Sequence, residues 1–303
     1  MTTSPIPSHQ PHPNHDRGLE FDLSTLLSRR RTLGVLLGAG TAAALAACTP
    51  GTGTDGGASA TPSGAASAST TAASPSAAAS PTVTRAFAEC GVEFPKETAG
   101  PFPGDGSNGP NALEASGVVR RDITSSFGTS TTKAGGVLLT VTLTLLDGST
   151  KNGANGCAPL AGAAVYAWHC DREGRYSMYE PGVENENYLR GVQEADANGQ
   201  LSFTTIFPGA YNGRWPHIHF EVFESMSNAT KAGQLLAVSQ IALTEAACKD
   251  VYASAGYETS ARNFPRTTLK SDSVFRDDGG IYQLATMSGS ASAGYAATLN
   301  VTV

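Results

Sequence analysis

Between about Arg85 and Val303 the chain is built from short runs in which apolar or β-branched residues alternate with polar ones. These runs are Val118 to Ile123, Val137 to Leu146, Ala163 to His169, Leu201 to Phe207, Pro216 to Phe223, Leu235 to Leu243, Tyr282 to Met287 and Tyr295 to Val303. Period-two alternation puts successive side chains on opposite faces of a strand, so each run reads as a strand with a buried face. Turn formers separate the runs, at Asp147-Gly148, Asn198-Gly199, Pro208-Gly209 and Asp278-Gly279. Many short strands punctuated in this way predict an all-β fold, a sandwich of mixed and antiparallel strands. One short helix is expected, over Glu245 to Tyr252 with Thr244 as its cap.

The amino-terminal part has none of this periodicity. It is polar up to Ser28, with His9, His12 and His15 scattered among prolines, and then reads Ser28-Arg29-Arg30-Arg31-Thr32-Leu33. A weakly apolar stretch follows and ends in Leu45-Ala46-Ala47-Cys48. The pattern predicts a twin-arginine export signal with a lipoprotein cleavage site. Small residues ahead of Cys48 admit a signal peptidase, and the thiol is a nucleophile for a diacylglycerol. The apolar run from Thr32 to Ala47 falls short of the roughly 20 residues a spanning helix needs, so membrane contact is expected only through lipid on Cys48. From Thr49 to about Pro81 nearly every residue is Ala, Ser, Thr, Gly or Pro, a composition that cannot bury enough apolar surface to fold. The expected organisation is a signal region over 1–47, a disordered tether over 48–84 and one β-sandwich domain over 85–303, held at the outer face of the cell membrane.

Charge narrows the partners. The 303-residue chain carries a net charge of −6, and no cluster of Lys and Arg lies outside the signal, which excludes nucleic acid. If lipid takes Cys48, then Cys90, Cys157, Cys170 and Cys248 remain in an oxidising compartment, and two disulfides are expected among them. Cys157 with Cys170 is the disfavoured pairing, because an extended strand separates them. The other pairings stay open.

Three histidines fall in the domain, and two of them form His217-Ile218-His219 inside a predicted strand. Residues two apart on a strand share a face, so both imidazoles can reach one ion. Tyr211 precedes them in Phe207-Pro208-Gly209-Ala210-Tyr211, where Pro and Gly fold the chain back toward the histidine strand. A second phenol, Tyr176, sits on its own turn after Trp168-His169-Cys170-Asp171. Carboxylate alternatives fit less of the pattern. Glu224 has the spacing of a cupin ligand, but no histidine follows His219 to complete a cupin set, and a site of two histidines with Glu221 would leave both tyrosine contexts unexplained.

The motifs Glu97-Thr98-Ala99-Gly100-Pro101-Phe102, Val119-Arg120-Arg121-Asp122-Ile123, Gly174-Arg175-Tyr176-Ser177, Leu189-Arg190-Gly191 and Arg214-Trp215-Pro216-His217-Ile218-His219-Phe220, with the Trp168 and Tyr211 segments, resemble those of intradiol ring-cleavage dioxygenases, most closely their extracellular branch. The resemblance implies an Fe(III) cofactor held by Tyr176, Tyr211, His217 and His219, phenolates being hard donors that favour ferric ion. It implies a small catechol-type substrate and O2, both of whose atoms enter the product, a muconate-type diacid. It places Arg214 against developing negative charge, Tyr211 as the ligand that yields to substrate, and Gln240 beside the substrate. It leaves His169 structural and Trp168 in the core or pocket wall. The competing expectation is a non-enzymatic β-sandwich lipoprotein that binds a ligand or partner at the cell surface.

Overall fold

The structure, a computed structural model, describes residues 93–151, 157–231 and 233–303. The predicted signal, Cys48, the tether and Cys90 lie outside the described residues. Among those described, no helix is long and apolar enough to cross a membrane.

Among the described residues nine strands form two sheets: β1 (Leu138–Lys151), β2 (Cys157–Pro159), β3 (Ala164–Trp168), β4 (Arg190–Glu194), β5 (Gln200–Ile206), β6 (His217–Phe223), β7 (Leu235–Ala242), β8 (Thr286–Ser290) and β9 (Gly294–Thr302). In the first sheet β1 pairs parallel with β9, which carries β8 antiparallel on its other side. The first half of β1 pairs antiparallel with β5 and its end with β2. The second sheet runs β4-β3-β6-β7, antiparallel throughout. Leu139, Val141 and Leu143 of β1 and Phe203 of β5 pack with Val165 of β3, Ile218, Phe220 and Val222 of β6 and Ile241 of β7 in one apolar cluster. That shared core makes the all-β sandwich expected from the alternation.

The second sheet is buried on both faces. All seven residues of β6 are buried, and they alternate between two clusters. Ile218, Phe220 and Val222 enter the core between the sheets. Phe223 turns the other way, as do Ala164, Tyr166 and Trp168 of β3, into an aromatic cluster with Phe102, Tyr176 and Tyr211. The loops after β3 and β5 bring Tyr176 and Tyr211 to this outer face and the segment 97–103 brings Phe102, while Phe94 packs on Phe220 in the inner core.

Several expectations change. Asp147-Gly148 is no turn: β1 runs through it, and the irregularity is taken up as a register shift against β2 between Asp147 and Lys151. Val118 to Ile123 makes only isolated bridges, Val119 to Val192 and Asp122 to Thr204. β4 is a strand that alternation did not mark. The expected helix is present as α2 (Glu245–Tyr252), but Thr244 makes no side-chain capping bond, and two more short helices occur, α1 (Met226–Thr230) and α3 (Glu258–Asn263). The two-disulfide expectation fails. Cys157 is disulfide-bonded, but Cys170 and Cys248 are free buried thiols. Cys170 belongs to the aromatic cluster and Cys248, on α2, to the larger apolar cluster.

Candidate metal centre

β6 ends the connection that starts at Phe207, and its first and third residues, His217 and His219, point to the aromatic face. Their Nε2 atoms lie 3.1 Å apart. Tyr211 Oη is 3.2 Å from His217 Nε2, and Tyr176 Oη is 3.5 Å from the same nitrogen. The four side chains read from the sequence therefore meet at one point, drawn from a β6 pair and two separate loops.

Each loop is fixed by backbone chemistry. The Tyr176 N–H donates to Glu180 Oε2 at 2.7 Å, closing a turn around the phenol. Gly174 takes a φ of +90°, and a Cβ there would stand 3.2 Å from the Cβ of Tyr211, so glycine permits both the turn and the approach of the two tyrosine loops. On the Tyr211 side, a Cβ on Gly209 would come within 2.7 Å of the carbonyl oxygens of Asp171 and Arg172. His217 Nδ1 is tied to the Trp215 carbonyl, which leaves Nε2 directed at the phenols. The ring of His219 lies flat on Trp168, with centroids 4.9 Å apart and planes 6° apart.

The burial of this cluster sets its protonation. Desolvation pushes His217 down to about 3, and the Arg214 cation adds to it. Desolvation and then His217 hold His219 well below its ordinary value. Burial, then the neighbouring Tyr211, holds the Tyr176 phenol well above the usual range. Without a cation the site thus holds two neutral imidazoles and a neutral Tyr176 phenol.

The donor set fits a metal ion on its own hydrogen-bonding logic. Three polar atoms crowd His217 Nε2; since Nδ1 donates to the Trp215 carbonyl, the neutral ring leaves Nε2 a single lone pair, which can accept from only one of them. A cation between them satisfies all at once, and donor separations of 3.1 to 3.5 Å are the edges of a polyhedron with bonds of about 2 Å. The ion's charge would also draw the protons from the phenols that burial alone retains. Among the described residues no three His, Cys, Asp or Glu side chains gather as a ligand group, and Glu221 stands across the strand from Tyr166.

Around the donors the structure places Arg214 and Gln240 in one network. Gln240, on β7 directly opposite His219, accepts from Arg214 Nη2 at 2.5 Å and donates to the Thr98 carbonyl at 3.1 Å. Arg214 Nε pairs with Asp272 Oδ2 at 3.0 Å, both side chains fully buried. Burial works to raise the Asp272 carboxyl, but Arg214 and the Trp215 N–H overcome it and keep it below the usual range. Segment 97–102 reaches the site as expected: Thr98 holds Gln240, and the ring of Phe102 lies 5.0 Å from that of Tyr176. His169 is structural, with Nδ1 on the Cys170 carbonyl and Nε2 on Thr205.

Sequence reading missed two supports. Asp272 holds Arg214 from a segment far along the chain, and nothing in its neighbourhood marks it. Arg190 is wholly buried and donates to the carbonyls of Phe102, Pro103 and Ser177 and to Tyr166 Oη, binding the Tyr176 loop to segment 97–103. Its signal was available as the charged residue of Leu189-Arg190-Gly191.

Comparison with known proteins bears on this site. A dioxygenase family model matches residues 133–217, a stretch that contains Tyr176, Tyr211, Arg214 and His217. Catechol 1,2-dioxygenase 1 of Acinetobacter lwoffii is 32% identical over 92 residues, which cover 24% of this chain and 29% of that protein. In these stretches the chain is similar to dioxygenases, among them a catechol 1,2-dioxygenase. The solved intradiol ring-cleavage dioxygenase from Tetranychus urticae is 27% identical, with a TM-score of 0.49, over 61% of this chain and 86% of its own. Another dioxygenase crystal structure is 26% identical, with a TM-score of 0.50, over 61% of this chain and 85% of its own. The chain spans under a third of the length of the curated catechol 1,2-dioxygenase it matches.

Proposed function

We propose that this protein is a non-haem iron(III) intradiol dioxygenase. It opens the ring of a catechol-type aromatic between the two hydroxyl-bearing carbons, using both atoms of O2, and yields a muconate-type diacid. The carrying observation is the convergence of Tyr176, Tyr211 and His219 on the Nε2 of His217 within 3.5 Å. These four side chains would hold the iron. Bound there, ferric ion supplies a Lewis acid that draws electron density from a coordinated catecholate, making a ring carbon reactive toward O2.

The protein's own groups do the rest. Tyr211 is 9% exposed against 1% for Tyr176, so it is the more accessible to an entering substrate, and as the phenolate that bound iron would favour, its Oη would take a hydroxyl proton. Arg214 keeps its charge at any working pH, and Asp272 and Gln240 fix its guanidinium. It opposes negative charge on the ring without reorganising. Gln240 has both ends of its amide committed, to Arg214 and to Thr98, and so positions the arginine. Trp168 and Phe102 wall the site with aromatic surface and exclude water.

The reading extends to location on sequence grounds alone. The twin-arginine pattern and the lipoprotein cleavage site support export, with Cys48 lipidated at the outer face of the membrane. Cys48→Ala should then move the protein from the membrane fraction to the soluble one.

The decisive experiment loads the purified protein with Fe(III) and records its visible spectrum, then measures O2 uptake and product with catechol. A tyrosinate-to-iron band and a ring-opened diacid are expected. Both should be lost in His219→Ala and kept in His169→Gln. A colourless protein holding one zinc per chain, with no O2 uptake, would sink the reading.

A further inference from the structure

The two histidines of β6 bring their Nε2 atoms together, but only one ring is anchored at its other nitrogen. His217 Nδ1 donates to the carbonyl of Trp215, two residues before it. His219 is equally buried, and its Nδ1 meets no hydrogen-bond partner among the described residues. A neutral imidazole that gives Nε2 to a cation carries its proton on Nδ1, and a buried N–H needs an acceptor. Histidines that hold metals find that acceptor in a carboxylate, a backbone carbonyl or a water.

Two contacts fix where Nδ1 points. The ring of His219 lies parallel to that of Trp168, its direct cross-strand partner on β3, with 6° between the planes. The plane of the ring therefore stands along β6, and its edges face up and down the strand rather than across it. Nε2 lies 3.1 Å from Nε2 of His217, so that edge faces the start of β6. Nδ1 is on the opposite edge and faces the next residue on the same side of the strand, Glu221. Glu221 is 3% exposed, and its charge reaches the same layer. Burial raises the phenol of Tyr166, the cross-strand partner of Glu221, to about 12, with Glu221 adding to the rise and Arg190 opposing it. Residues two apart on a strand are separated by about 7 Å, a span that one water can bridge between an imidazole N–H and a carboxyl oxygen.

We propose that Glu221 is a positioning residue of the metal centre, accepting the bond from His219 Nδ1–H through one water. It fixes His219 from the residue two after it, as the Trp215 carbonyl fixes His217 from the residue two before. Glu221 is not a ligand. By drawing on the Nδ1 proton it makes Nε2 a stronger donor and holds the ring against rotation. The inference rests on the reading of Tyr176, Tyr211, His217 and His219 as iron donors.

The test compares the full-length wild type with Glu221→Leu and Glu221→Gln. Each is loaded with Fe(III), the iron dissociation constant is measured by competition with nitrilotriacetate, and the visible tyrosinate-to-iron band is recorded. Glu221→Leu should weaken iron binding about tenfold or more. Its band should move to longer wavelength, because a poorer histidine donor leaves the ion a stronger acceptor of tyrosinate charge. Glu221→Gln keeps a neutral acceptor, so it should weaken iron about threefold and shift the band less, in the same direction. A purely structural role would lower the urea midpoint of Glu221→Leu and leave the band of the folded protein in place. That outcome would overturn the proposal, as would wild-type affinity and band in both variants. If Glu221→Leu does not fold, an unmoved band and affinity in Glu221→Gln suffice to overturn it. A wild type that takes up no iron and shows no band would sink the iron reading itself, whereas a coloured wild type with unaltered variants would sink only the role of Glu221.

Discussion

On β6, Ile218, Phe220 and Val222 face an aliphatic core shared by two sheets, while His217, His219 and Glu221 face a layer that holds Arg190, Arg214, Gln240 and four tyrosine or tryptophan rings. The two faces are equally dry but are held together differently. The inner face gains from area removed from water and tolerates any apolar set of the right volume. The outer face buries polar groups that cost free energy unless each finds a partner, so its geometry is fixed by directed bonds. A strand with one face of each kind lets the core position the chemistry without taking part in it.

That division can be broken from either side. The largest effect should come from Phe220→Ala on the inner face, a loss of about 3–5 kcal/mol from cavity formation, read as a lower urea midpoint. Its remaining folded protein should keep its iron band, because no directed bond at the donors involves Phe220. On the outer face, Asp272→Asn removes the counter-charge of a fully buried arginine and should cost about 3 kcal/mol, with kcat falling more than the midpoint alone explains. Equal loss in both properties would show that Asp272 serves only stability.

Glu97 tests the edge of the outer layer. Burial, then the charge of Asp277, raises its carboxyl from 4.5 to about 7, with Asp278 adding to this and Gln283 and Arg214 opposing it. The unfolded chain releases this proton near 4.5 and the native protein only near 7. The native state therefore holds the extra proton between those values, and its stability falls as pH rises from about 4.5 to 7. The expected loss is on the order of 2 kcal/mol after allowing for partial solvent contact. Glu97→Gln should flatten that slope in urea midpoints measured at pH 5 and pH 8, and an unchanged slope would place its origin elsewhere. The smallest effect is expected for Gly174→Ala, about 1 kcal/mol for forcing a side chain to positive φ. The displaced Tyr211 should show as a shifted visible band.

What could be read in advance follows the same division. β6 was legible because its alternation is complete and His217 and His219 share one face. Tyr176 and Tyr211 were legible only through motifs, since the loops that carry them have no period. β4, Arg190–Glu194, escaped notice because Val192 is its one strand former and a buried arginine mimics a surface residue. Asp272 was invisible because its bond to Arg214 joins distant segments. The cysteines misled because parity counts thiols and not their burial in place: Cys170 and Cys248 are each packed in a separate apolar cluster as free thiols.

The parallel pairing of β1 with β9 has a consequence for the order in which the protein matures. β1 begins the described sandwich and β9 closes it, yet the two are hydrogen-bonded neighbours from Leu139 beside Tyr295 to Leu146 beside Thr302. Pairings so distant in sequence pay their loop-closure entropy late and fold slowly. On a ribosome, β3 to β7 emerge before the partner that completes the opposing sheet. The outer face of β6 should then stay loosely held until the last strand is released, which makes β9 the element that sets when this face becomes rigid.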